Sequence, residues 1–249
     1  MFAIITIVFV VAAGVAVAGH FLLFGPKHPE CAGQTPSVLR FRLWERLMHG
    51  ATVLSFLVLT GTGFSAILAH HRLSGIPLLL HWCAAPFFAL GVAAMALFWA
   101  GYGRFEPFDL DWFRVSGGYL GGGHDSVPAG RFNAGQKAFY WLILGLGAVL
   151  ILSGALRIFP LLDPQGQAIV LWLHRGAALI LACAILAHAY LGTFANPGTL
   201  QAMVTGRVSP GWAWGHHPVW ARRHGLPRPA PSPKKTAPAA PESPRPAAS

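Results

Sequence analysis

The chain has 249 residues, 54% of them hydrophobic and only 10% charged, with 18 Lys and Arg against 8 Asp and Glu. Soluble domains carry about 25% charged residues, so this composition is that of a membrane protein. The net charge of +10 does not indicate nucleic-acid binding, because the basic residues lie between apolar spans and in a Pro-rich tail and form no basic face.

Five apolar segments are long enough to cross a bilayer, at about 2–24, 47–69, 77–101, 138–160 and 168–193. The expected fold is therefore all-α, a bundle of about five transmembrane helices. The first span contains Ala16-Val17-Ala18, a small-x-small pattern that a cleaved signal peptide also shows. No basic residue precedes it, and cleavage would leave the basic 27–46 stretch outside, so it is read as a retained helix over 1–25. Gly61, Thr62 and Gly63 in the second span permit close approach of a helix or a cofactor. Pro86 in the third predicts a kink. Residues 102–136 are too long for a bare connector and are expected to be ordered by a partner or by function. Residues 226–249 lack core-forming residues and are expected to be disordered. Cys83 and Cys183 read as small apolar core residues, and no cysteine pair has CxxC spacing.

Loop charge sets the orientation. Fifteen Lys and Arg fall on the side of the first loop, the third loop and the C-terminal end, against Arg72, Arg157 and Arg175 on the other. The N-terminus is then outside and the C-terminus cytoplasmic.

Four of the twelve histidines lie within spans where that orientation gives them a depth. His174 and His188 are fourteen residues apart on the last span, nearly four turns and about 21 Å, so they share a face at opposite depths. His81 falls at the depth of His174, near the outer surface, and His49 at that of His188, near the inner one. Two imidazoles facing each other across helices suit the axial positions of a heme b, and iron coordination removes the cost of an unpartnered polar ring in hydrocarbon. The alternative is that each ring bonds a carbonyl on a neighbouring helix. His20 is expected against headgroups or a neighbouring helix, and His70 and His71 in solvent. His28, His124 and His224 have no partner pattern. His216 and His217 sit among Trp212, Trp214 and Trp220 and read as an interfacial anchor, with proton delivery a further option.

Before the fourth span, Asn133, the Gly135 backbone and Gln136 offer donors and acceptors to a quinone ring at the level of the inner pair. The same residues read equally as a helix N-cap with a capping box. Arg175 would neutralise a heme propionate or extend to the outer surface.

On 40-RFRLWERLMHG-50, 80-LHWCAAP-86, 131-RFNAGQK-137, 173-LHRGAALILACAILAHAY-190 and 204-VTGRVSPGWAWGHHPVW-220 the chain resembles the cytochrome b (gamma) subunit of membrane-bound respiratory formate dehydrogenases. The resemblance covers residues 38–224. It departs at Gly50, where the family often has Trp.

The resemblance implies a diheme cytochrome b core of four helices. His81 and His174 would be axial ligands of an outer heme b, and His49 and His188 of an inner one, with Asn133, Gly135 and Gln136 in a menaquinone or ubiquinone pocket. It also implies an iron–sulfur (beta) subunit as electron donor and a molybdenum- or tungsten-containing catalytic (alpha) subunit, with quinone reduced on the cytoplasmic side. Rival readings keep the cytochrome with a hydrogenase or sulfur-compound oxidoreductase as donor, or make the chain a heme-free membrane scaffold or transporter.

Overall fold

A computed structural model describes residues 1–31, 33–121 and 127–228. Along these the helices are α1 (Phe2–Phe24), α2 (Leu43–Leu68), α3 (Gly75–Phe98), α4 (Asp109–Arg114), α5 (Ala134–Ile158), α6 (Pro164–Thr193), α7 (Thr199–Val204), α8 (Pro210–His216) and α9 (Pro218–Arg223). Two short strands, β1 (Val38–Leu39) and β2 (Arg207–Val208), pair antiparallel into a ribbon at one end of the bundle. His124 and residues 229–249 of the Pro-rich tail lie outside the described residues.

Helices α1, α2, α3, α5 and α6 are long and apolar enough to cross a membrane, and the chain is a multi-pass membrane protein. Three of the helices start about four residues before the apolar run does, because each opens on a polar cap at the interface. At α2 the Arg42 N–H donates to Glu45 Oε2 at 2.8 Å. At α5 Asn133 and Gln136 bond each other's backbone N–H at 2.8 and 3.0 Å. At α6 Asp163 Oδ1 accepts from the Gly166 N–H at 2.7 Å. A cap satisfies N–H groups that the first turn leaves free.

The bundle is two helical hairpins, α2–α3 and α5–α6, joined through α3 and α5, with α1 laid against α6. Small residues set the spacing. A Cβ at Gly91 of α3 would overlap Thr52 Oγ1 of α2, and one at Gly147 of α5 would sit 3.1 Å from Val92 of α3. Phe56, Phe88, Met95, Ile143 and Leu181 fill the shared interior. Cys83 was expected in that interior but faces outward, and Cys183 is half-buried, whereas Cys31 is buried in a second core at the ribbon end with Val208, Trp212 and Trp220. A thiol on a lipid-facing surface is not penalised, so its apolar neighbours in sequence could not report its side.

The segment 102–121 is ordered by the chain itself. Lys137 of α5 holds Asp109 of α4 at 2.6 Å, Glu106 bridges to Arg223 of α9 at 2.8 Å, and the Trp141 indole donates to Gly103 O at 3.0 Å.

Candidate functional site

The far end of the bundle, away from the ribbon, brings His81 of α3 and His174 of α6 together. Their ring centres are 6.4 Å apart with the planes at 56°. Each ring is held from within its own hairpin. His81 Nδ1 lies 2.8 Å from Thr62 Oγ1 of α2, and His174 Nδ1 lies 2.8 Å from Ser153 Oγ of α5. The residue after each hydroxyl is a glycine whose absent side chain leaves the ring edge open. A Cβ would come 3.7 Å from His81 Cε1 at Gly63 and 3.6 Å from His174 Cε1 at Gly154, with nothing else near.

At the ribbon end, His49 of α2 and His188 of α6 face each other with ring centres 6.3 Å apart and planes at 51°. Phe139 of α5 stacks on His188, ring centres 4.4 Å apart and planes within 5°. Gln136 is one turn before Phe139 on the same side of α5, which brings the capping box about 4.5 Å along the helix from that stack.

The box engages Asn133 Oδ1 and Gln136 Oε1, and among the described residues the two side-chain NH₂ groups make no hydrogen bond. Gly135 is less open than its sequence suggests. The Trp112 indole covers it, and a Cβ there would meet the ring at 2.7 Å.

A family model of prokaryotic cytochrome b561 matches residues 40–206. The chain belongs to the prokaryotic cytochrome b561 family. It is 28% identical over 206 residues to the cytochrome b556(Fdn) subunit of the nitrate-inducible formate dehydrogenase of Escherichia coli K12, across 74% of this chain and 90% of that protein. Over 97 residues it is 37% identical to the cytochrome b556(fdo) subunit of an E. coli K12 formate dehydrogenase, across 37% of this chain and 46% of that one. The cytochrome b556 subunit of the Haemophilus influenzae formate dehydrogenase is 24% identical over 206 residues, across 76% and 84%.

A cytochrome b561 binds heme b, and the histidine pairs fit that group. A metal–imidazole bond of about 2 Å on each side, plus about 1.1 Å from ring centre to nitrogen, puts two axial rings about 6.3 Å apart. The observed 6.3 and 6.4 Å match that span. Gly63 and Gly154 put no side chain against the Cε1 edges of the far-end rings.

Among the described residues the other histidines lie apart from these two pairs. His20 bonds the Tyr190 hydroxyl at 2.7 Å and Tyr119 O at 2.9 Å, joining α1 to α6. His70 and His71 are exposed at the far end. His28 reaches Glu30 at 2.9 Å, and His224 reaches Trp220 O at 3.0 Å. Arg175 lies over the Phe2 ring of α1 at 5.8 Å.

The 212–220 segment is not the interfacial anchor its tryptophans suggested. Trp212, His217 and Trp220 are buried, and Arg40, only 2% exposed, lies between them. Its guanidinium packs 5.0 Å from the Trp212 ring and 4.7 Å from the Trp220 ring. Arg40 Nη2 donates to Arg131 O at 2.5 Å and to His217 Nε2 at 3.2 Å. Arg40 has no acceptor, so His217 Nε2 must accept, and its Nδ1–H then donates to Gly130 O at 2.7 Å. Both nitrogens are therefore committed in the neutral ring, which opposes proton delivery through His217. Burial, reinforced by Arg40, holds its pKa well below the usual value. Burial and the neighbouring Arg131 bring Arg40 itself down to about 9, against an opposing pull from Glu45.

Sequence reasoning singled out neither Arg40 nor the hydroxyls of Thr62 and Ser153. One signal was present for the latter: a hydroxyl–glycine pair recurs, Thr62-Gly63 and Ser153-Gly154, in the helix preceding each far-end histidine.

Proposed function

We propose that this chain is the membrane-anchoring diheme cytochrome b subunit of a formate dehydrogenase, with residues 38–224 as the diheme domain and 1–25 as an added span. One observation carries the reading: two histidine pairs, each at axial spacing, sit at opposite ends of one bundle and share α6. His81 and His174 would hold one heme b, and His49 and His188 the other. Bound there, heme supplies one-electron carriage between the two membrane surfaces. The names of the relatives support formate dehydrogenase as the donor complex.

The residues divide the remaining work. The free amide groups of Asn133 and Gln136 donate to a quinone carbonyl, approached from the Phe139 side because Trp112 covers Gly135. Three cysteines without CxxC spacing leave iron–sulfur and molybdenum or tungsten ligation to the beta and alpha subunits. Loop charge supports placing the far end outside and the ribbon end in the cytoplasm, across the inner membrane. Outside oxidation with inside quinone reduction conserves about 2.3 kcal/mol per charge per 100 mV.

The test is heme content per polypeptide in the intact complex, from reduced-minus-oxidised spectra. The native chain is expected to hold two, and His174→Ala and His188→Ala one each. His188→Ala is expected to abolish quinol formation while dye reduction by the partner subunits persists. A chain with no b-type band, or normal quinone reduction in His188→Ala, overturns the assignment. Co-purification with a hydrogenase large subunit would replace the donor and keep the cytochrome.

A further inference from the structure

The two ends of the bundle treat their histidines differently. A hydroxyl carries a single proton. That of Thr62 is directed back to Val58 O, 2.7 Å away, and that of Ser153 to Val149 O, 2.5 Å away. Toward His81 and His174 each oxygen is therefore an acceptor, and the 2.8 Å contact is made by an Nδ1–H donor. The tautomer follows: Nδ1 carries the proton and Nε2 presents its lone pair. Two different hydroxyl residues on two different hairpins make the same set of contacts.

The ribbon end lacks this device. Among the described residues neither His49 nor His188 has a hydrogen-bond partner, and the face of Phe139 stacks on the His188 ring. A hydrogen-bonded Nδ1–H makes an imidazole a more electron-rich ligand, which favours the ferric over the ferrous state of its iron. Two such bonds at one end and none at the other bias electrons toward the ribbon end.

We infer that Thr62 and Ser153 are positioning residues that fix the Nε2-ligating tautomer of His81 and His174 and hold the far-end heme at a lower potential than the ribbon-end heme. The inference rests on reading the four histidines as axial ligands. It makes the direction of electron flow a property of two hydroxyl groups as well as of the external donor.

The test is a potentiometric titration of the intact complex, with Thr62→Val, Ser153→Ala and the double variant beside the native protein. In His188→Ala only the far-end heme remains, which identifies its signal. The native far-end midpoint is expected to be the lower of the two. Each lost hydrogen bond is expected to shift the ferric–ferrous equilibrium about fivefold to tenfold, which at 59 mV per tenfold is about 40–60 mV upward. The ribbon-end midpoint is expected to stay in place.

Thr62→Ser and Ser153→Thr are expected to restore the native value. Thr60→Val, which loses a hydroxyl bonded only to its own helix, is expected to move neither midpoint. Unmoved far-end midpoints with two hemes still bound, or an equal rise at both ends, would overturn the inference while leaving the ligand assignment intact. If the variants fail to assemble, the native order decides it, since a far-end heme above the ribbon-end heme refutes it without any substitution. Two hemes retained in His81→Ala would instead refute the ligand assignment.

Discussion

Removing Lys137 should open the ribbon end from within. Its ammonium sits 2.6 Å from Asp109 Oδ2, and both side chains are 2% exposed. At an effective dielectric of about 20 the gross attraction at that distance is about 6 kcal/mol, most of which offsets the desolvation of the two charges. Deleting one partner leaves the other buried without compensation. Lys137→Met is therefore expected to destabilise the region by about 3–5 kcal/mol, since Asp109 would keep only the Glu106 N–H at 2.7 Å.

Asp109→Asn should be milder, about 2–3 kcal/mol, because Glu106 still stands 3.7 Å from the ammonium. The double variant Lys137→Met/Asp109→Asn removes both charges and should recover at least about 2 kcal/mol relative to the sum of the single effects. Hydrogen exchange of residues 105–118 in nanodiscs reads the local opening free energy of α4 directly. Single variants each within about 1 kcal/mol of the native protein, or a strictly additive double variant, would refute this account of how the 102–121 segment is held.

Three further outcomes follow from the same geometry. Gly154→Leu would project a side chain against the His174 ring edge, its Cβ 3.6 Å from Cε1, and is expected to reduce heme from two to one per chain; Gly14→Leu on α1, where a Cβ meets nothing within 4 Å, should leave two. His216 and His217 are held neutral by burial first, with nearby cations and His28 adding to it, so the unfolded segment binds more protons than the folded one below about pH 6.5. Their stabilisation is present above that pH and is lost as pH falls, at up to about 1.4 kcal/mol per unit for each ring, so exchange of residues 207–226 should speed up between pH 7.5 and 5.5 after intrinsic correction; an unchanged opening free energy would contradict it. Arg40→Gln strips the donor from His217 Nε2 and the cation from between the Trp212 and Trp220 rings, and is expected to cost about 2–4 kcal/mol in the same segment, measured by the same exchange.

What the sequence made legible is tied to periodicity. Apolar runs report spans because every lipid-facing turn must be apolar, and His174 and His188 report a shared face because 3.6 residues make a turn. Loop charge then matched depths, and the structure brings His81 beside His174 and His49 beside His188. What stayed hidden depends on polar groups that meet only after the chain folds back. Arg40 and His217 are 177 residues apart, and Lys137 and Asp109 are 28 apart across a segment with no apolar period. The starts of α2, α5 and α6 were displaced for a related reason: a hydropathy pattern ends where the polar cap begins, whereas the helix continues through it.

The two ends also differ in how local their construction is. Thr62 lies 19 residues from His81 and Ser153 21 residues from His174, each across one hairpin turn. Each far-end ring is therefore held by a hydroxyl of its own hairpin. A site whose ligands are locked by their own supporting shell is preorganised for its metal. Among the described residues His49 and His188 at the ribbon end have no such partner, and that end is built from distant segments: Phe139 stacked on His188, the Asn133–Gln136 cap and the Arg40 core. That end can be distorted by loosening Lys137–Asp109 or Arg40–His217 without touching the far pair. Perturbing the 102–121 latch should accordingly change the ribbon-end heme signal while the far-end signal keeps its native form, whereas the Thr62 and Ser153 variants should do the reverse.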